Sequence, residues 1–388
     1  MSRAICDDFI RRLKDVVPHG GALHEPSLTN VEEQYVLDGL RSGFVSTSGL
    51  QITEFEKVFA KFVGANYAIA VVNGTAGLHL ALIEAGVKTG DEVLIPGLSF
   101  VATANAVLYQ QAIPVFLDVD LTSFGLNPEL VRAWLGKNTR SRSDGSLYNL
   151  KTGRKVTALI AVHVLGMPSD IVALQNICDE FGLNLIEDAA EGLGSQVAEV
   201  SVGLFGRSGC FSFNGNKIIT TGGGGMVVTN KEEIATRIRH LSATAKVQHP
   251  WEYRHTALGY NYRMPNINAS LGLAQMTRIS DIATKKRRLF ELYDQSFADS
   301  DYGSIVKQSL GIVWNHWLNA FILSEQDAFL IHSLIRESHV HGFAVRPLWT
   351  VLADLPHLKS FPRDDLINCR ALCQRVICLP SGPNLANE

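Results

Sequence analysis

A single lysine, Lys217, stands between an aromatic–serine–aromatic step (Phe211–Ser212–Phe213) and four consecutive glycines, Gly222 to Gly225. The glycines permit positive φ and close approach of the backbone to a bound group. A lysine so placed suits an imine-forming amine in an enclosed pocket. On its own the stretch reads equally well as a glycine-rich turn with a solvated lysine. Two other segments carry chemistry of their own. Asn73–Gly74–Thr75–Ala76–Gly77 joins an apolar run to a helix, where free backbone N–H groups favour phosphate and Thr75 adds a hydroxyl. Glu187 and Asp188 end another apolar run. A carboxylate buried there needs a cationic partner: a protonated ring nitrogen, a structural arginine or, ranked last, a metal. Phe100 opens a helix and either stacks on a planar ring or packs in the core.

The elements that would position these residues alternate between strand and helix. Apolar runs at 68–72, 92–96, 114–119, 156–164 and 183–189 read as strands of the buried, parallel type. Helices are expected between them: 75–85, the segment after Phe100, 127–135, and one capped by Ser169 and ended by Gly182. Upstream, Thr29 or Asn30 caps a helix over 29–41, and Ile52, Phe55, Phe59 and Phe62 form an apolar stripe on a helix that Gly64 ends. Residues 136–155 are a polar, basic insertion with a hairpin at Asp144–Gly145. Residues 267–298 are helical, and the rest reads as a smaller α+β unit. The pattern implies an α/β fold with a mostly parallel central sheet flanked by helices. It divides into an N-terminal helical segment (1–25), a large α/β domain (26–266) and a small C-terminal domain (267–388).

Composition narrows the function classes. The chain has 388 residues and a net charge of −3, with no basic field for nucleic acid. No apolar run is long enough to span a bilayer, and residues 1–15 carry no signal-peptide core, so a cytoplasmic location is expected. The six cysteines form no zinc-type pattern, so no metal site is expected.

A phosphate cradle, an aromatic platform, a strand-end carboxylate and an imine-forming lysine together suit pyridoxal phosphate. The segments GFVSTSGLQITEFEK, AVVNGTAGLHLAL, IEDAAEGLGS, GCFSFNGNKIITTGGGGMVVT and LGYNYRMPNINASLGLAQ resemble the DegT/StrS family of sugar-nucleotide aminotransferases, from about Pro26 onward. The resemblance implies the type I pyridoxal-phosphate aminotransferase fold and a set of residue roles. Lys217 would hold the cofactor and shuttle the proton, and Asp188 would pair with the ring nitrogen. Gly74, Thr75, Ala76 and Ser212 would bind the phosphate. Phe100 would stack on the ring, and Glu191 would lie near its 3-oxygen. Asn261 would reach the cofactor of a partner subunit, which implies a homodimer. Arg346 and His163 would face substrate. The implied reaction carries the amino group of L-glutamate to C4 of a nucleotide-linked 4-keto-6-deoxy sugar. The segments FSFNGNK, DGSLYNLKTGRK and GFVSTSG resemble the branch acting on UDP-linked 2-acetamido sugars of bacillosamine or legionaminic acid formation. The alternative is a GDP-perosamine-type enzyme, which shares the GNK step. The basic loop from Arg140 to Lys155 either meets the nucleotide diphosphate by charge or is a solvated surface hairpin. Relatives that became dehydratases have lost the lysine, so Lys217 argues against that chemistry. A non-catalytic pyridoxal-phosphate-binding regulator is a remote alternative.

Overall fold

The computed structural model describes residues 2–387. Helix α1 (Ser2–Val16) opens the chain, followed by α2 (Asn30–Arg41) and α3 (Leu50–Val63). Thr29 caps α2 in a reciprocal capping box with Glu32, and Gly64 ends α3 in the left-handed conformation at φ 81°. Ile52, Phe55 and Phe59 on α3 are fully buried, but Phe62 is 40% exposed. Phe62 lies at the margin of the apolar arc, and Val63 completes the buried stripe instead.

The α/β layer follows: β1 (Tyr67–Val71), α4 (Gly74–Glu84), β2 (Glu92–Pro96), α5 (Ala102–Tyr109), β3 (Ile113–Leu117) and α6 (Pro128–Asn138). Then come the hairpin β4 (Thr139–Ser141) and β5 (Leu147–Asn149), β6 (Lys155–Val162), α7 (Ile171–Phe181) and β7 (Asn184–Asp188). Short strands β8 (Gln196–Val197) and β9 (Val200–Ser201) precede β10 (Ser208–Ser212), β11 (Gly225–Thr229) and α8 (Glu232–Ser242). The sheet order is β1-β11-β10-β7-β6-β2-β3, with the β4–β5 hairpin attached through β5 to β6. All neighbours from β10 to β3 are parallel, and β11 runs against both β1 and β10. The run at 68–72 therefore lies in an antiparallel edge pair. It reads as a parallel strand because helices cover both its faces, which removes the alternation that marks most antiparallel strands.

Side chains alternate between two apolar layers. Val93 and Ile95 of β2 and Ile160 of β6 pack in one layer with α4 and α8. Leu94 and Leu159 pack in the other with α6 and α7. Helix α7 is capped by Asp170, whose carboxylate accepts the Ala173 N–H, rather than by Ser169. Both residues are good caps in adjacent positions, and the sequence did not separate them.

Beyond the sheet, α9 (Asn266–Thr277) and α10 (Ile279–Ser296) break at Arg278. Strands β12 (Gly303–Ile305), β13 (Ile312–Val313), β14 (Ala320–Leu323), β15 (Arg346–Pro347) and β16 (Val376–Cys378) follow, with helices α11 (Ile331–Val340) and α12 (Ile367–Cys373). Four of these strands form the antiparallel sheet β12-β14-β16-β15. Helix α1 does not stand apart. Its Phe9 and Leu13 are fully buried in the core of this C-terminal unit, with Tyr293, Phe321 and Phe343.

Candidate active site

In parallel α/β sheets, ligands bind beyond the carboxyl ends of the strands. Segments following β1, β2, β7 and β10, together with Val162 at the end of β6, line one cavity of about 580 Å³. Lys217 enters it from the loop between β10 and β11. That loop is tied down: the Phe213 N–H donates to the Gly224 carbonyl at 2.9 Å, and the Lys217 N–H donates to the Asn214 carbonyl at 3.1 Å. Lys217 Nζ lies 3.1 Å from Glu191 Oε1 and 4.0 Å from the centroid of the Trp317 ring. Only 13% of the lysine side chain is exposed, so it is not a solvated surface group.

Asp188 ends β7. Its Oδ2 accepts from Thr103 Oγ1 at 2.7 Å, and its Oδ1 accepts from the Ala190 N–H at 3.2 Å. Burial pushes its pKa up, opposed by these two neutral donors and by the Lys217 charge. Glu191 Oε2 accepts from the Leu165 N–H at 2.8 Å, and burial likewise raises its pKa against the pull of Lys217. Leu165 holds a left-handed conformation at φ 57°, an uncommon one for a branched residue. Gly166 beside it, at φ 81°, leaves no room for a Cβ, which would meet Asn315 Oδ1 at 2.2 Å.

At the start of α4, the Asn73 side chain accepts the Ala76 N–H at 2.8 Å. The Ala76 amide is therefore engaged by the cap, a correction to its expected place in the cradle, and Ala76 does not line the cavity. The amides of Gly74 and Thr75 precede the first intrahelical bonds and are left for a ligand. A Cβ on Gly74 would lie 3.0 Å from Ser212 Cβ, so glycine lets the helix start close against Ser212. Phe100 lines the cavity and is 54% exposed, which rules out the core-packing reading.

Lys217, Asp188, Glu191, Gly74, Thr75, Ser212, Phe100 and Arg346 thus meet in one cavity. Ala76 and one other residue expected there do not. His163 is fully buried, with Nε2 3.1 Å from Glu187 Oε2 and Nδ1 accepting the Ser169 N–H at 3.2 Å. It follows Val162, which does line the cavity, and it does not face substrate. Asn261, expected at the cofactor of a partner subunit, lies outside this cavity, in a surface depression with Arg239, His240 and Arg263. The basic insertion is also displaced. It joins β6 at Lys155 and Val156, whereas the cavity meets β6 at Val162, about 20 Å further along the strand.

Sequence reasoning missed the strap that closes the cavity from the C-terminal unit. Trp317 Nε1 donates to the Asn216 carbonyl at 2.7 Å. Asn315 Nδ2 donates to the carbonyls of Glu191 and Leu193 at 2.7 and 2.9 Å, and Trp314 Nε1 donates to the Leu165 carbonyl at 3.0 Å. Aromatic and amide residues in WNHWL were the available signal.

These residues fit pyridoxal phosphate. Asp188 is a buried carboxylate whose hydrogen-bond donors are both neutral, so a protonated ring nitrogen would supply the cation it favours. The turn at Gly74 and Ser212 would take the phosphate. Among the described residues, no cluster of three or more His, Cys, Asp or Glu side chains is placed to hold a metal. None of the described helices is long and apolar enough to cross a membrane.

A model of the DegT/DnrJ/EryC1/StrS aminotransferase family matches residues 26–388. GDP-perosamine synthase of Vibrio cholerae is 36% identical over 371 residues, covering 94% of this chain and 95% of the relative. The aminotransferase TlmJ of Streptoalloteichus hindustanus superposes with a TM-score of 0.84 at 27% identity, covering 93% of each chain. PseC of Helicobacter pylori, an aminotransferase involved in the biosynthesis of pseudoaminic acid, shares the fold with a TM-score of 0.85 at 22% identity. That alignment covers 95% of this chain and 97% of PseC.

Proposed function

The chain belongs to the DegT/DnrJ/EryC1/StrS aminotransferase family, pyridoxal-phosphate-dependent enzymes of the type I fold, and we propose that it transfers the amino group of L-glutamate to C4 of a nucleotide-linked 4-keto-6-deoxy sugar. The observation that carries this reading is Lys217 Nζ, held by Glu191 inside the cavity that Asp188 also lines. When bound, pyridoxal phosphate supplies an electron-poor ring that stabilises negative charge on the carbon carrying the amine. The chain's residues do the rest. Asp188, steadied by Thr103, keeps the ring nitrogen protonated. The amides of Gly74 and Thr75, with the Ser212 hydroxyl, hold the phosphate at the start of α4. Phe100, which lines the cavity, would stack on the ring. Lys217 would anchor the cofactor, and its amine, confined beside Glu191 and Trp317, would hold and move the proton. Burial pushes the Glu191 carboxyl up against the pull of Lys217, and Glu191 would lie near the 3-oxygen. Arg346 offers a cation to an anionic group of either substrate.

The favoured acceptor is a UDP-linked 2-acetamido-2,6-dideoxy-4-keto-hexose on the way to bacillosamine or legionaminic acid, a step in bacterial glycan synthesis. The support is the FSFNGNK and GFVSTSG segments, which resemble that branch. The insertion contributes only as a sequence mark, since it lies away from the cavity. The likeness to GDP-perosamine synthase favours a GDP-linked keto sugar as the second reading. The working unit in this reading is a homodimer, in which Asn261 completes the phosphate site of the partner subunit. A cytoplasmic location belongs to the same reading. Amine formation with UDP- and GDP-linked 4-keto sugars assayed in parallel decides between the two acceptors. Higher kcat/KM for the UDP sugar upholds the first reading, and higher kcat/KM for the GDP sugar replaces it with the second.

A further inference from the structure

One wall of the same cavity is built by a residue outside the set above. His24 lines it and is 9% exposed, yet neither Nδ1 nor Nε2 has a hydrogen-bond partner among the described residues. Buried imidazole nitrogens are ordinarily satisfied, so a pair left open beside a substrate cavity points to a bound group. The ring sits 6.5 Å from that of Trp317, the residue that packs against Lys217.

The segment carrying His24 is pinned on both sides. The Leu23 carbonyl accepts the Ser381 N–H at 2.7 Å, and the Gly21 N–H donates to the Gly342 carbonyl at 3.1 Å. Downstream, the Ser27 carbonyl accepts from Gln275 Nε2 at 3.0 Å and Arg278 Nη1 at 2.9 Å. The open nitrogens therefore belong to a fixed ring and not to a mobile surface side chain.

Burial holds the imidazole well below its usual pKa, and the nearby cations Lys286 and Lys217 push the same way. A neutral imidazole offers one N–H donor and one bare acceptor nitrogen. A hydroxyl or an amide can meet either one of these nitrogens, giving to the bare one or taking from the N–H. The carboxylates of glutamate call for a cation, which Arg346 supplies in the same cavity.

We infer that His24 is a specificity-determining residue that hydrogen-bonds an uncharged hydroxyl or amide group of the keto sugar and plays no part in handling the amino donor. The inference rests on the aminotransferase reading. Its test separates the two half-reactions of the cofactor-loaded enzyme by stopped-flow absorbance, with glutamate alone and then with the keto sugar that proves active. His24→Phe should slow the sugar half-reaction at low sugar concentration about 10- to 30-fold and weaken equilibrium binding of the amino-sugar product by a similar factor. It should leave the glutamate half-reaction within about twofold, since no hydrogen bond is lost there. His24→Gln, which keeps a donor and an acceptor, should recover most of the sugar rate. Equal slowing of both halves, an unchanged sugar half, or a glutamine variant no better than phenylalanine would overturn the assignment. A wild-type enzyme inert to glutamate and to both keto sugars would instead remove the aminotransferase reading, and the role of His24 with it.

Discussion

Asp188 and Glu191 crowd two carboxyl groups into a cavity with one lysine, and burial raises both pKa values. For Asp188 this has a consequence for stability. A carboxyl group whose folded pKa lies above its unfolded value contributes stability that is full below the unfolded value, about 4, and is lost as pH rises through the folded one. Cofactor-free protein should therefore lose part of its stability between weakly acid and neutral pH. Asp188→Asn should melt higher than wild type at pH 7, on the order of 3 °C, with the gap closing as pH falls toward 4. Thermal melts of cofactor-free protein across that range check it, and a variant less stable than wild type at pH 7 would show that Asp188 is well satisfied as an ion. The same substitution should cut kcat by 100-fold or more if the carboxylate keeps the ring nitrogen protonated, and kinetics on the loaded enzyme read that out. At this scale the sequence was informative where a residue type has a demanding chemistry. Lys217 and Asp188 could be picked out because a lysine before glycines and a carboxylate at a strand end are unusual, whereas Glu191 came only through the family resemblance. Thr103 and Trp317 act through contacts with residues 85 and 101 positions away, which no local pattern displays. His163 was misplaced because it follows cavity-lining Val162, and its ring turns into the core toward Glu187.

Helix α4 and strand β11 meet at a backbone contact that shapes the cradle. A Cβ on Gly225 would lie 2.7 Å from Asn73 C and Gly74 N and 2.8 Å from the Phe211 carbonyl oxygen. None of these backbone atoms can move without shifting the start of α4 or strand β10. Gly225→Ala should cost about 1–3 kcal/mol and weaken cofactor retention, read as a lower denaturant midpoint and faster loss of cofactor on dialysis. Asn73→Ala removes the cap that holds the Ala76 amide and should cost about 1 kcal/mol. Unchanged stability in both variants would mean that the turn is free to relax. Most of the strands and helices could be read from the sequence because apolar runs, glycine stops and polar caps are local signals. The direction of β1 could not be read, because a strand covered on both faces lacks the alternation that marks an antiparallel neighbour. Nor could the choice between Ser169 and Asp170 as a cap, which depends on which side chain the turn aims at the Ala173 amide.

Across the whole molecule, the C-terminal unit is more than an appendage, since its WNHWL strap supplies the cation–π partner of Lys217. Helix α1 joins that unit through Phe9, Leu13 and a nearly buried Arg12, which reaches Asp8, Asp299 and the Ser296 carbonyl. Arg12→Ala removes packed methylenes as well as these bonds and should destabilise the protein by about 2 kcal/mol. Limited proteolysis should then cut near residues 17–25 faster than in wild type, and an unchanged cleavage pattern would show that the apolar contacts alone hold α1. This packing was hidden in the sequence because α1 and its partners lie some 280 residues apart, as Arg12 and Ser296 illustrate. If Lys217 carries the cofactor in this cavity, the visible absorbance of purified protein mixed with pyridoxal phosphate reports it. The wild type should show a band of lysine-bound cofactor that glutamate bleaches, and Lys217→Ala should show only the spectrum of the free cofactor. An identical band in both proteins, or none in the wild type, would contradict the account.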